Sequence, residues 1–159
     1  MGYTSPHMAA KPNLAPPPGA LTTRVRHSVA FYETDAMGVV HHSNYLRYLE
    51  HARVQFLAEH DRPYTAYIAE GLHVPVTRAA VSYRSPCRFG DEVEIVCWLA
   101  WARTASLGFA YSLHVGGDRV ATGETDHALI NQEGRPVRIP TAMQAQIARW
   151  KGRGEAHRP

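Results

Sequence analysis

The spacing of apolar residues changes twice along the chain. Between residues 24 and 32, Val25, Val29 and Phe31 stand at even intervals, which predicts a half-buried first strand. From residue 44 to residue 59 the apolar side chains recur every three or four positions, which predicts a long helix that is apolar on more than one side. The apolar positions of this helix are Tyr45, Leu46, Leu49, Ala52, Phe56 and Leu57.

Local signals mark both ends of the predicted helix. Ser43 and Asn44 offer side chains that can cap its first turn. Residues 61–63, Asp-Arg-Pro, end it, because proline cannot continue the helical hydrogen bonding. Residues 64–70 then predict a further short turn of helix before Gly71.

Beyond Gly71 the pattern changes to strands that are separated by turn-forming residues. Gly90-Asp91 and Gly116-Gly117-Asp118 are typical of tight connections between antiparallel neighbours. The simplest arrangement is therefore an antiparallel meander of hairpins. The predicted strands are residues 72–83, 92–102, 106–115 and 119–130.

The two ends of the chain differ from its centre. Residues 1–20 are rich in proline, which favours extended chain, so we expect an arm there that is disordered or derived from a tag. A terminal helix is predicted from Thr141 to Lys151, and residues 152–159 are expected to form a flexible tail. No linker or repeat divides the remainder, so residues 21–151 are predicted to form one domain.

Composition excludes several classes of protein. The hydrophobic content of 45% and the charged content of 19% are typical of a globular chain. The formal charge of +3 is small and its cations are scattered, so no nucleic-acid partner is expected. No apolar run approaches the roughly 18 residues of a membrane helix, so no membrane partner is expected. Cys87 and Cys97 are expected to be reduced, as in a cytoplasmic protein.

The predicted strand at residues 92–102 is apolar on both faces. One face carries Ile95 and Cys97, and the other carries Val96 and Trp98. A single helix covers only one side of a sheet, so the Trp98 face is predicted to form an interface in a homo-oligomer, either a dimer or a tetramer. The alternative is a partly exposed Trp98 that long polar side chains shield.

Four short elements in and before the long helix carry a family resemblance. They are Thr34-Asp35, Gly38-Val39-Val40, Ser43-Asn44-Tyr45 and Tyr48-Leu49-Glu50. This stretch resembles the 4-hydroxybenzoyl-CoA thioesterase family, including its bacterial acyl-CoA thioesterases, and a wider resemblance runs from about residue 24 to 145. The resemblance implies an α+β hotdog fold: an antiparallel five-stranded sheet wrapped around one long central helix, with a C-terminal helix. It also implies hydrolysis of an acyl-CoA to a free acid and CoA, without a cofactor. No metal is expected, because the chain has neither an H-E-x-x-H motif nor paired cysteine spacing.

The resemblance assigns the catalytic roles to Asp35 and His42. Asp35 corresponds to the catalytic carboxylate, which either attacks the thioester carbonyl or deprotonates a water. His42 lies at the helix entrance, where its backbone N–H would polarise the carbonyl, because helix N-termini present unpaired donors and partial positive charge. Two alternatives stay open: Asp35 only caps a turn, and the His42 imidazole contacts substrate, orients Asp35 or does neither.

Further residues are expected to bind substrate. Gly38, Val40 and Tyr45 are candidates to line the acyl site, although an aromatic residue at helical spacing is more often part of the core. The candidates to bind CoA phosphates are three arginines near strand ends, Arg84, Arg88 and Arg103, although a surface arginine more often only keeps a protein soluble.

Three observations limit these assignments. Glu50 is a second candidate carboxylate, but we expect it to pair with Arg47 or Arg53, each one turn away. Phe31 stands four residues before Asp35, where related bacterial acyl-CoA thioesterases often have Tyr, so the contact of a Tyr hydroxyl is lost and the substrate preference of those relatives is not carried over. The rival functions are a polyketide-type thioesterase for carrier-bound chains and a non-catalytic hotdog scaffold that binds acyl groups.

Overall fold

A computed structural model describes residues 15–151. The expected tail and most of the expected arm, residues 1–14 and 152–159, lie outside the described residues. The helices are α1 (His42–His60), α2 (Tyr64–Ala69) and α3 (Thr141–Trp150). The strands are β1 (Thr23–Ser28), β2 (Val76–Tyr83), β3 (Glu92–Ala102), β4 (Ser106–Val115) and β5 (Asp118–Ala128).

All five strands form one antiparallel sheet in the order β1-β3-β4-β5-β2. The short turns after β3 and β4 make hairpins, as predicted. The prediction of a four-strand meander is wrong for β2, which pairs with β5 instead of β3. The reason is the connection at residues 84–91, which crosses to the segment before α1, where the Val40 amide donates to the Cys87 oxygen at 2.8 Å.

Helix α1 lies against the inner face of this sheet and supplies the centre of the core. Its side chains Leu49, Ala52, Phe56 and Leu57 are completely buried, and each buried large apolar side chain contributes roughly 1.5–3 kcal/mol. A Cβ atom at Gly123 would lie 2.7 Å from Leu49 Cδ1. The helix therefore approaches β5 at a point where only glycine fits.

Helix α3 confirms the predicted terminal helix and closes one end of the core. Its buried Trp150 packs edge-on against Phe56, with ring centroids 5.3 Å apart. The Trp150 indole donates to the His60 main-chain oxygen at 3.3 Å, at the end of α1. None of the helices within residues 15–151 is long and apolar enough to cross a membrane.

The first strand ends earlier than predicted. Strand β1 stops at Ser28, and residues Phe31–Glu33 form a short 3₁₀ turn. Phe31 is 75% exposed and does not belong to the buried face of a strand. The strand ends because the chain turns after Val29, where the Glu33 amide donates to the Ala30 oxygen at 3.1 Å and closes the 3₁₀ turn.

Strand β3 is buried on both faces within the single chain. Ile95 and Cys97 lie in the main core, while Val96 and Trp98 form a separate small cluster with Ala110 on the opposite face. Trp98 is only 2% exposed, so both earlier interpretations of this side chain are wrong. It offers no exposed interface. Both cysteines, Cys87 and Cys97, are buried free thiols, as expected.

Candidate active site

A tight hydrogen-bonded loop joins Asp35 to the start of α1. The Asp35 amide donates to the Val39 oxygen, and the Gly38 amide donates to the Asp35 oxygen, both at 2.9 Å. Gly38 closes this turn with a φ of +71°, a conformation that favours glycine. One step further from the turn, the His41 amide donates to the Glu33 oxygen at 2.8 Å. The ladder therefore fixes Asp35 relative to the helix entrance.

The Asp35 carboxylate caps its own turn with one oxygen. Oδ1 accepts from the Met37 amide at 2.8 Å, the contact expected of a turn-forming Asp. Asp35 therefore does cap a turn, as one of the two interpretations of this residue expected. Within residues 15–151 the second oxygen, Oδ2, has no hydrogen-bond donor, and the side chain is partly exposed. One carboxylate oxygen thus stays available for chemistry.

Helix α1 begins at His42, two residues before the predicted start, and its N-cap is His41 instead of Ser43 or Asn44. The His41 ring Nδ1 accepts from the Ser43 amide at 3.3 Å, and the His41 oxygen accepts from the Asn44 amide at 3.0 Å. Among the described residues the His42 amide has no acceptor. This first amide of the helix can therefore bind a ligand oxygen, aided by the helix dipole.

The His42 imidazole is exposed and stacks on the ring of His41, with centroids 4.1 Å apart. In the part of the chain that the structure describes, it makes no hydrogen bond to Asp35. An orienting role toward Asp35 is thus absent here. Within residues 15–151 the main-chain amide of His42 is left without an acceptor.

Aromatic side chains form the base of the helix entrance. Tyr45 is 3% exposed and packs edge-on against Tyr83, with centroids 4.9 Å apart. The Tyr83 hydroxyl donates to the His42 oxygen at 3.3 Å. Burial raises the pKa of the Tyr45 hydroxyl, and the neighbouring Cys87 adds to the rise, so Tyr45 stays neutral. Tyr45 and the buried Val40 thus support the site from the core side.

Tyr83 is a residue that the sequence analysis missed. It is the last residue of β2 and is 52% exposed. The sequence did contain a signal for it: an aromatic residue at the end of a predicted strand, next to the candidate phosphate ligand Arg84.

The arginines separate into two groups. Arg88 adjoins the loop, because its Nη1 donates to the Gly38 oxygen at 3.4 Å. Arg84 is exposed just beyond β2, and its amide donates to the Val120 oxygen. Arg103 follows the far end of β3, a strand of 11 residues that spans roughly 35 Å, so it lies away from the Asp35 loop.

Glu50 has no ionic partner in the described range 15–151. The expected pair with Arg47 or Arg53 is wrong, because neither arginine forms an ion pair there. Arg53 instead points into the protein, is 5% exposed and lies over the Tyr64 ring.

The surface around the Asp35 loop is unusually apolar. Phe31, Met37 and Phe89 are 75%, 76% and 62% exposed. Phe31 and Phe89 pack edge to face, with centroids 5.7 Å apart. Exposed apolar side chains that cluster in this way mark a surface that binds a ligand or another protein.

Comparison with known proteins identifies the family. The model of the thioesterase-like superfamily matches residues 29–147, which include the Asp35 loop, α1 and most of the sheet. The chain belongs to this superfamily. The match, together with the order of strands around α1, confirms the expected α+β hotdog fold.

Individual members of the superfamily are similar over most of their length. The acyl-CoA thioester hydrolase YbgC of Escherichia coli is 37% identical over 131 residues, 79% of this chain and 97% of that protein. The 1,4-dihydroxy-2-naphthoyl-CoA hydrolase of Thermosynechococcus vestitus is 32% identical over 125 residues, 77% of this chain and 86% of that protein. The hypothetical protein TT1821 of Thermus thermophilus has a solved structure with a TM-score of 0.76 and 38% identity, over 79% of this chain and 97% of that one.

These relatives show that the thioesterase-like protein described here is an enzyme that hydrolyses thioesters.

Among residues 15–151 no group of three or more His, Cys, Asp and Glu side chains is placed to hold a metal ion.

Proposed function

We propose that this thioesterase hydrolyses an acyl-CoA to a free carboxylic acid and CoA, with Asp35 as the catalytic carboxylate and the His42 amide as the oxyanion donor. The observation that carries the proposal is the hydrogen-bonded loop that holds both groups. It leaves Asp35 Oδ2 and the His42 N–H without partners in the described chain. The names of the relatives, which include CoA thioester hydrolases, support the substrate class.

The His42 amide would bind the carbonyl oxygen of the thioester. As that oxygen gains negative charge, the amide and the partial positive charge of the helix end stabilise it. One such donor contributes on the order of 3 kcal/mol at the transition state. The preformed helix end needs no rearrangement for this task.

Asp35 would act on the carbonyl carbon in one of two ways. As a base, it takes a proton from water while the water oxygen bonds to the carbon, and the C–S bond then breaks to release the thiolate. As a nucleophile, it forms a mixed anhydride with release of the thiolate, and water then hydrolyses the anhydride. Both routes end with the free acid and the protonated thiol.

Binding of the CoA portion would use the surface beside this loop. Arg88 is the best placed cation, because it already contacts the Gly38 oxygen and can bind a phosphate with its remaining N–H groups. Arg84 is an exposed second cation at the end of β2. The exposed Gly38 backbone allows close approach of the acyl group, while the buried Val40 and Tyr45 would support the acyl site from the core side.

We also propose that the protein is a homo-oligomer, either a dimer or a tetramer, because of the exposed edge strand β2 and the apolar surface beside the site instead of Trp98. Strand β2 is an edge of the sheet and most of its residues are exposed. The apolar surface of Phe31, Met37 and Phe89 lies next to the candidate site. A second subunit that covers these features would shield the thioester from water. The free thiols support the expected cytoplasmic location.

A panel of aryl-, short-, medium- and long-chain acyl-CoA substrates tests this function, with thiol release as the readout. Wild-type protein should release CoA from at least one class, and Asp35→Ala should lower that rate by several powers of ten. Asp118→Ala, at an exposed aspartate that begins β5 and has no hydrogen bond or ion pair to the Asp35 loop within residues 15–151, is the matched control and should keep full activity. Hydrolysis of carrier-protein thioesters alone would favour the polyketide-type alternative, and no hydrolysis at all would favour the binding scaffold.

A further inference from the structure

Glu33 is a buried carboxylate two residues before Asp35. The side chain is 5% exposed, which is rare for glutamate unless it is well paired. Its Oε2 accepts from the Ala30 amide at 2.8 Å and from the His27 ring Nε2 at 2.8 Å, and Oε1 lies 3.1 Å from the same ring nitrogen. Three short contacts thus hold this carboxylate in a fixed place.

The main chain of Glu33 is bonded as firmly as its side chain. Its oxygen accepts from the His41 amide at 2.8 Å and from the Asn44 side chain at 2.9 Å. The side chain therefore binds β1 through His27, and the main chain binds the cap and first turn of α1. The Asp35 loop lies between these two anchors.

The electrostatics favour a charged Glu33. Burial opposes the charged form, but the hydrogen bonds from His27 and the Ala30 amide outweigh it and hold the pKa of the Glu33 carboxyl below its usual value. Tyr48 of α1 packs on the His27 ring, with centroids 4.5 Å apart. Burial and the nearby Glu33 charge raise the pKa of the Tyr48 hydroxyl. The titratable groups that face Glu33 are therefore His27 from β1 and Tyr48 from α1.

From these contacts we infer that Glu33, paired with His27, is a positioning residue for the reaction: it sets the distance between the Asp35 carboxylate and the His42 amide. This inference rests on the proposed function of Asp35 and His42. Glu33 itself is buried and does not touch substrate. It acts through the main-chain hydrogen bonds of residues 33–41, because any shift of the Glu33 peptide moves the His41 cap and the Asp35 turn relative to each other.

Misplacement of reacting groups by about 1 Å can cost about a hundredfold in rate. Glu33→Ala, which removes both side-chain anchors, should therefore lower kcat about a hundredfold. Glu33→Gln keeps one oxygen for the Ala30 amide but removes the charge that His27 binds, and should lower kcat about tenfold. KM should change by less than about twofold for both variants, since no substrate contact is lost.

The experiment measures kcat and KM for these two variants, for His27→Gln and for the double variant His27→Gln with Glu33→Gln. The control is Glu94→Gln, whose carboxylate forms an exposed pair with Arg24 at 2.8 Å, and which should match wild type. Unfolding in urea shows that each protein is folded at the assay temperature. If the pair acts as a unit, His27→Gln lowers kcat several-fold in wild type and adds nothing to Glu33→Gln.

Unchanged kcat in folded Glu33→Gln and Glu33→Ala would overturn the inference. The inference would also be overturned if the loss of kcat in each variant equalled the fraction of that variant that is unfolded, because Glu33 would then contribute only to stability. Asp35→Ala is measured beside them to separate the two claims. An active Asp35→Ala refutes the proposed function itself, whereas an inactive Asp35→Ala with fully active Glu33 variants refutes only the positioning role.

Discussion

The amide of His41 donates a hydrogen bond to the main-chain oxygen of Glu33 at 2.8 Å. This bond places the N-cap of α1 opposite a residue only two positions before Asp35, so one short loop carries a carboxylate and ends in a free helix amide. The chemistry proposed for this enzyme depends first on that local arrangement.

Gly38→Ala should weaken both stability and activity. The glycine has a φ of +71°, and a side chain in that conformation costs roughly 1–2 kcal/mol. Because the strain falls in the Asp35 turn, kcat/KM should drop at least tenfold. Gly117→Ala, with a φ of +88° in the turn between β4 and β5, should lose similar stability in urea unfolding and keep its activity. Equal activity in the two variants would argue against a role for the turn.

Arg88→Ala should raise KM for acyl-CoA substrates about tenfold, because a charge-assisted contact to a phosphate is worth roughly 1.5–3 kcal/mol. With an acyl-N-acetylcysteamine thioester, which has no phosphate, the same variant should behave like wild type. Arg103→Ala is the control, since Arg103 packs on Trp101 at the other end of β3. If Arg88→Ala had an equal effect on both substrates, Arg88 would act by holding the Gly38 loop and not by binding a phosphate.

Tyr83→Phe removes the hydroxyl that donates to the His42 oxygen at 3.3 Å. A hydrogen bond of this kind contributes about 1 kcal/mol, so kcat/KM should fall about fivefold through a less firmly held helix end. Tyr64→Phe removes a comparable contact, from the Val74 amide at 3.1 Å, and should leave kcat/KM unchanged. Steady-state kinetics of the two variants give the comparison, and no difference between them would contradict it.

Stability should fall in mild acid because of His127. Burial lowers the pKa of this histidine from 6.5 to about 4. Below pH 6.5 the unfolded chain therefore binds a proton that the folded chain does not, and stability is lost as the pH falls toward 4, by up to about 3 kcal/mol. Urea unfolding at several pH values should show a shallower dependence for His127→Gln. A slope identical to that of wild type would exclude His127 as the cause.

Patterns within single elements predicted much of this fold. The spacing of Leu49, Ala52 and Phe56 placed the long helix, because burial on a helix follows its 3.6-residue period. The terminal helix and the strands from β3 onward followed in the same way. Which strand pairs with β2 was not predictable, since residues 84–91 bind the loop before α1 instead of turning back.

The candidate site was predictable only in part. The motif located Asp35 and the helix entrance, but periodicity does not show that His41 caps the helix with its ring. It also does not show that Glu33 is buried or that Arg53 turns inward instead of pairing with Glu50. These features depend on contacts between residues that are far apart in sequence or outside regular elements. Trp98 was misjudged for the same reason.

The most direct test of the central claim is kcat for Asp35→Asn on the best acyl-CoA substrate. Asparagine keeps an oxygen for the Met37 amide, so the turn is preserved while the negative charge and the basic or nucleophilic oxygen are lost. Asp35 as the catalytic carboxylate predicts a fall of about a thousandfold or more in a protein that unfolds in urea like wild type. A kcat within about twofold of wild type would contradict the account.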